Sequence, residues 1–237
     1  MNREYNWGVH ILEVTNDNIV ILEGHFTQPP EFSHELFGEE FYSGIFSVNR
    51  LSDSKDLLNI TISKKLLPEN KDIIHTYTRI TGQLRSYNKV VGAKNKLLLS
   101  VFTRHLSFPE EKAEEPNIIT LTGYICKEPI YRMTPFGREI TDLLVAVNRQ
   151  FNKTDYIPVI AWGRNAKYTE TMAVGDLLKI TGRLQSRSYT KTYGDGRTEE
   201  KVAYEVSSST ITKIPPVNDL STASQEDSQI DKNAHNS

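Results

Sequence analysis

One cysteine, Cys126, serves 237 residues, so no internal disulfide can form. Its flanks, YICKEP, supply no second thiol for a metal or redox pair, and its expected role is that of a small core residue. The six histidines, at 10, 25, 34, 75, 105 and 235, show neither HxxxH nor Cys/His spacing, which leaves zinc binding and metal hydrolysis without support. GxSxG, Walker and GxGxxG motifs are all missing, and acidic pairs such as Glu199-Glu200 fit a solvated strand edge. The chain is therefore expected to be no enzyme and to need no cofactor. No apolar run reaches the roughly 18 residues that span a bilayer, and MNREYNWG has no apolar signal region. A cytoplasmic, nucleoid-associated protein without membrane contact is the expectation.

Net charge is also scarce, at −2, but it is unevenly spread. Residues 115–213 hold 14 Lys and Arg against 11 Asp and Glu, whereas the segment from Ile214 holds one against four. A change of sign along the chain is expected when one module meets an anion and the others do not.

What the chain does contain is a repeat. At a shift of 99, NIVILEGHFTQPPEFSHELFGEEFYSGIFSVNR from Asn18 lies over NIITLTGYICKEPIYRMTPFGREITDLLVAVNR from Asn117, with 11 identities in the 34 positions from Asn18 to Leu51. ITGQLRS at Ile80 pairs with ITGRLQS at Ile180, one residue further apart. Within the second copy, Asn117–Cys126, Arg138–Arg149, Asp155–Trp162, Leu177–Ser186 and Lys201–Thr212 read as strands, and Arg164–Met172 as a helix ended at Gly175. Five strands with a helix between the third and fourth is the order of an OB-fold. The spacing predicts an all-β chain of two tandem five-stranded Greek-key barrels with one short helix per repeat. The expected domains are 1–109, a charged linker EEKAEEP at 110–116, 117–214, and a polar, acidic, disordered tail at 215–237. GVHILEV, Gly8–Val14, reads as an additional strand with no evident partner.

In four consecutive stretches, NIITLTGYICKEP, LLVAVNRQF, YIPVIAWGRNA and GRLQSRSY, the second copy resembles bacterial-type single-stranded DNA-binding proteins, in the order and spacing of that family. The resemblance covers Asn117 to Ile214 and implies sequence-independent binding of single-stranded DNA in replication, recombination or repair. It further implies base stacking on Phe151, Tyr156, Trp162 and Tyr189. The physical logic agrees, because a sequence-tolerant binder needs flat π surfaces interleaved with cations along a groove. Arg149, Lys153, Arg164, Lys167, Arg183, Arg187, Lys191 and Arg197 lie beside these aromatics as candidate phosphate contacts, and Tyr193 is a further candidate in the hairpin around Gly194-Asp195-Gly196.

Transferred onto the first copy, the four stacking positions fall on Ser52, Leu57, Ser63 and Lys89, none of them aromatic. The first copy is accordingly read as a degenerate OB-like domain that pairs with the second copy, widens the electrostatic track or contacts another protein. The resemblance implies a homodimer, with four barrels in all. The ending DKNAHNS has neither the acidic cluster nor the terminal aromatic by which such relatives dock replication enzymes, so docking through it is not expected. Two other readings stay open: a primosome-like adaptor that kept the fold and binds chiefly protein, and an RNA-binding OB protein, since stacking and phosphate contacts alone do not exclude a 2′-hydroxyl.

Overall fold

A computed structural model describes residues 18–69, 72–91 and 94–216, without the side chains of 89–91 and 94–96. The strand expected at Gly8–Val14 and the tail from residue 217 onward lie outside the described residues.

Alternating apolar and polar residues drive the first half into six strands, β1 (Asn18–Phe26), β2 (Glu31–Leu36), β3 (Glu39–Asn49), β4 (Lys55–Ser63), β5 (Thr78–Val91) and β6 (Lys94–Ser107). The second half repeats them as β7 (Asn117–Ile125), β8 (Ile130–Met133), β9 (Glu139–Asn148), β10 (Thr154–Trp162), β11 (Leu177–Thr192) and β12 (Thr198–Ile214), with helix α1 (Arg164–Glu170) after β10. Strand β1 pairs with both β3 and β5, and β4 runs parallel to β6, so β1, β3, β4, β6 and β5 close into a barrel. In the second half β7, β9, β10, β12 and β11 close in the same way. Each barrel thus has the five strands of an OB-fold, and the short strands β2 and β8 are additions lying on β3 and β9. Inward positions are fully buried, among them Val20, Leu22 and Ile60 in one barrel and Ile119, Leu121 and Ile157 in the other. Each contributes about 1.5–3 kcal/mol by leaving water.

The helix expected in each copy forms only in the second among the described residues. Where its counterpart would lie, the first half makes a single 3-10 turn, Lys64–Leu66, and leaves it through an extended Leu67 (φ −77°, ψ 128°). Pro68 follows, and a proline pushes the residue before it out of the helical region. Gly175 takes the left-handed conformation expected beyond α1, at φ +97°.

Both long hairpins bulge at the same place, between Thr81 and Gly82 and between Thr181 and Gly182. A Cβ on Gly82 would lie 2.3 Å from the Phe102 carbonyl oxygen, and one on Gly182 2.2 Å from that of Ser207. Only glycine lets β5 and β11 approach their neighbours so closely as each barrel curves shut.

The barrels join edge to edge. Strands β1 and β7 pair antiparallel, Val20 opposite Ile119, and all twelve strands form one continuous sheet. Around this seam a clasp is built twice with approximate two-fold symmetry. Asp56, 1% exposed, accepts the Ser186 backbone N–H at 2.8 Å and pairs with Arg50 at 2.5 Å and Arg183 at 3.2 Å. Asp155, fully buried, accepts the Ser86 backbone N–H at 2.6 Å and pairs with Arg149 at 2.8 Å and Arg85 at 3.3 Å. Each aspartate therefore reaches across to the other barrel. Asn18 and Asn117 each exchange two hydrogen bonds with a leucine backbone, Leu84 and Leu184 respectively, at 2.8–2.9 Å. The stretch read as a linker is held as well: Glu23, nearly buried in β1, accepts the Ala113 N–H at 2.8 Å, and its own N–H donates to Pro116 O at 2.7 Å.

Candidate nucleic-acid interface

Strand parity sorts the side chains of the second barrel. Ile157, Val159 and Ala161 of β10 point into the core, which leaves Tyr156 and Trp162 on the outward side of the same strand. Tyr156 is 46% exposed, and its backbone N–H donates to Ser86 Oγ of the first barrel at 2.9 Å. The first barrel therefore helps to fix where this ring stands. Trp162 is half-buried and donates from Nε1 to Ser207 Oγ at 3.1 Å, so the indole has a polar anchor and an open remainder.

Phe151 stands apart, 91% exposed in the turn between β9 and β10. Its φ of +61° is followed by +54° at Asn152. A bulky residue in the left-handed region costs about 1–2 kcal/mol, and such strain clusters at ligand sites. An aromatic ring pushed fully into water at that cost has no packing role among the described residues.

Tyr189 lies on β11 where the long hairpin leaves the barrel, with the Arg187 guanidinium 5.7 Å from its ring centre. Further out, Tyr193 is encircled by Lys191 at 5.1 Å and by Arg197 and Lys201 at 5.7 Å, while its hydroxyl donates to Glu199. Its ring is occupied by the neighbouring strand and its cations, which sets it apart from the open rings of Phe151 and Tyr156.

The cations divide into three groups. Arg149 and Arg183 belong to the clasp, paired with the buried Asp155 and Asp56. Each shares its buried carboxylate with a second arginine and a backbone N–H, so both hold the seam together as well as being candidate phosphate contacts. Arg187 pairs with Glu205 at 3.1 Å, Lys167 with Glu139 at 3.0 Å and Arg197 with Asp195 at 2.6 Å. Lys167 and Arg197 pair with carboxylates near the surface, where exchange for a phosphate costs little, whereas the Glu205 that holds Arg187 is buried and also accepts from Gln185 Nε2 at 2.7 Å. Lys153, Arg164 and Lys191 are exposed and form no ion pair among the described residues. The positive surface is consequently narrower than a count of Lys and Arg along the sequence implies.

Cys126 is half-buried rather than a core residue; its thiol donates to Leu144 O at 3.2 Å, and burial raises its pKa, which keeps it protonated and unreactive. No group of three or more metal-ligating side chains occurs among the described residues, and no helix there is long and apolar enough to cross a membrane.

Sequence comparison of four stacking positions missed a second aromatic cluster, on the outside of the first barrel. His34 stacks on Phe41 with ring centres 5.2 Å apart and planes at 16°, Phe41 lies 5.6 Å from Phe102, and Arg104 covers Phe102 at 5.2 Å. It could have been found by following outward positions across strands instead of matching single columns of the repeat. Phe37 and Phe136, 99% and 91% exposed at equivalent hairpin turns, are a further pair, signalled by their identity in both copies.

Two OB barrels joined through β1 and β7, with aromatic and cationic side chains on outward strands and a protruding hairpin, define a nucleic-acid-binding architecture of the single-strand type. The model of the single-strand binding protein family matches residues 116–213. A single-stranded DNA-binding protein of Clostridium tetani is 40% identical over 98 residues, 38% of this chain and 68% of that protein. A second, from Clostridium acetobutylicum, is 37% identical over the same length and with the same coverage. The chain belongs to the single-strand binding protein family. The crystal structure of the Thermus aquaticus single-stranded DNA-binding protein superimposes on 84% of this chain and 93% of that one with a TM-score of 0.66 at 17% identity, which extends the shared fold to both barrels.

Proposed function

We propose that this protein binds single-stranded DNA without sequence preference and without catalysis, the second barrel holding bases and phosphates in turn. The observation that carries the reading is the coincidence, inside the family-matched region, of Tyr156 and Trp162 on one outward strand face with Phe151 thrust from a strained turn. Tyr189 and Arg187 extend the same surface onto the hairpin, Lys153 and Arg164 supply exposed positive charge outside any ion pair among the described residues, and Lys191 adds a cation opposite Glu199. Stacking contributes about 1–3 kcal/mol per base, and each neutralised phosphate steepens the salt dependence.

The proposal includes the division into 1–109, 110–116, 117–214 and 215–237, supported by the closure of each barrel on its own strands. It places the protein in the cytoplasm at the nucleoid, acting in replication, recombination or repair as a homodimer of four barrels. Fluorescence titration with oligo(dT) at several salt concentrations tests it. Trp7 is the other indole in the sequence, so a Trp7→Phe background leaves Trp162 as the reporter. Quenching that weakens as salt rises is expected; absence of quenching, or an affinity indifferent to salt, sinks the reading. Tighter binding of matched RNA in competition would redirect it to RNA, and light scattering with and without oligo(dT) reports the assembly.

A further inference from the structure

The place where Trp162 stands in the second barrel is filled differently in the first. Strand register fixes the equivalence. Ile140 faces Trp162 across β9 and β10 as Phe41 faces Ser63 across β3 and β4, and Ser207 lies beside Ile160 as Phe102 lies beside Thr61. The second barrel thus has one large ring among two smaller residues, and the first has a serine between two rings. Aromatic bulk has moved to the flanking strands.

Exchange of volume alone accounts for Phe41, which is 7% exposed and forms a floor. It does not account for what covers that floor. His34 is exposed and nearly parallel to Phe41, and Arg104 is exposed and laid over Phe102. Arg104 and Arg85 also approach Gln83 Oε1, at 3.5 and 2.5 Å. Flat polar groups stacked over rings at the solvent boundary, with a guanidinium at one end, are the elements that receive an unpaired base and its phosphate.

We propose that His34, Phe41, Phe102 and Arg104 form a second platform for unpaired bases of single-stranded DNA, on the barrel whose four aligned stacking positions are not aromatic. The imidazole offers its outer face to a base, Phe41 and Phe102 hold it and Arg104 in place, and Arg104 meets the adjoining phosphate. The proposal rests on the strand-binding reading of the second barrel and lengthens the strand that one chain covers.

The test uses the full chain in the Trp7→Phe background, with oligo(dT) of about 8 and about 30 nucleotides, lengths chosen because an OB-fold occupies about 4–16 nucleotides. His34→Ala with Arg104→Ala is expected to leave short-oligonucleotide affinity and Trp162 quenching unchanged. It should weaken long-oligonucleotide binding by about tenfold or more and shorten the length occluded on poly(dT), as expected from losing one or two stacked bases. Phe102→Ser should do the same, with a thermal melt on the same sample to show that the fold persists. Unchanged long-oligonucleotide affinity and occluded length in the double variant overturn the second platform while leaving the first standing. No quenching of the parent by either oligonucleotide overturns both.

Discussion

In the second barrel one indole spans the outward face between Ile140 and Ser207; in the first, a serine occupies its position and two phenyl rings flank it. The clasp at the seam behaves in the opposite way. Asp56 and Asp155 are aligned and carry the same pairs of contacts, although the arginine that crosses the seam sits at 183 on one side and at 85 on the other, with Gln185 and Gln83 in the alternate places. The lesson is that a barrel conserves what a surface must accomplish, not which column of the repeat accomplishes it. The seam requires a guanidinium within reach of a buried carboxylate, and either of two adjacent outward positions supplies one.

The sharpest way to break this symmetry is at its buried charges. Asp155→Ala leaves Arg85, Arg149 and the Ser86 N–H without their acceptor, and is expected to cost about 3–5 kcal/mol in urea unfolding. Asp56→Ala should cost as much, and a difference above about 2 kcal/mol between them would show that the two clasps are unequal. Next, Gly182→Ala and Gly82→Ala each drive a Cβ into a carbonyl oxygen and should cost about 1–3 kcal/mol, again equally.

The comparison is sharpened by binding. Trp162→Ala and Tyr189→Ala should each weaken oligo(dT) binding by about 1–3 kcal/mol, whereas Ser63→Ala, at the matching place in the first barrel, should change it hardly at all. Equal effects from Trp162→Ala and Ser63→Ala would show that the indole is structural.

The smallest effect concerns the connection between the barrels. Burial alone would raise the Glu23 pKa, but the Ala113 N–H and the Arg79 guanidinium, 2.5 Å away, outweigh it and hold the carboxyl below its ordinary value of 4.5. A lowered carboxyl contributes stability that is present above that value and is lost as the pH falls through the folded-state pKa. The protection of the Ala113 amide, as exchange relative to its intrinsic rate at each pH, should therefore fall below about pH 4.5. Glu23→Gln should remove that pH dependence at a cost of about 1 kcal/mol.

Much of this was legible in the chain. Strand positions followed from alternation, and β7, β9 and β10 fall within one residue of the expected bounds. The repeat disclosed both barrels, because a ladder needs its apolar residues in the same register each time. That the first half makes only a 3-10 turn after β4 among the described residues was legible in principle through Pro68, which opposes the helix that the likeness of the two copies implies. The seam was not legible. Asp56 and Asp155 follow Lys55 and Thr154 in stretches that look solvated, and nothing local to them says that the other barrel desolvates them. For the same reason the pairing of Arg183 with Asp56 was hidden, since sequence neighbours do not reveal a partner 127 residues away. The cluster on His34 escaped because it joins β2, β3 and β6, and only the folded sheet brings those strands together.

The pairing of β1 with β7 has a consequence for heredity as well as for shape. Where two identical chains meet about a two-fold axis, every substitution arrives twice, and a change that suits one side must also suit its mirror. Here a single chain supplies both partners of the seam, so each codon alters one side alone. The pairing also cannot be diluted apart, because its two strands are tethered through residues 110–116. An arginine can then stand at 85 on one side and at 183 on the other, and two barrels of one origin can present unlike faces while sharing an axis.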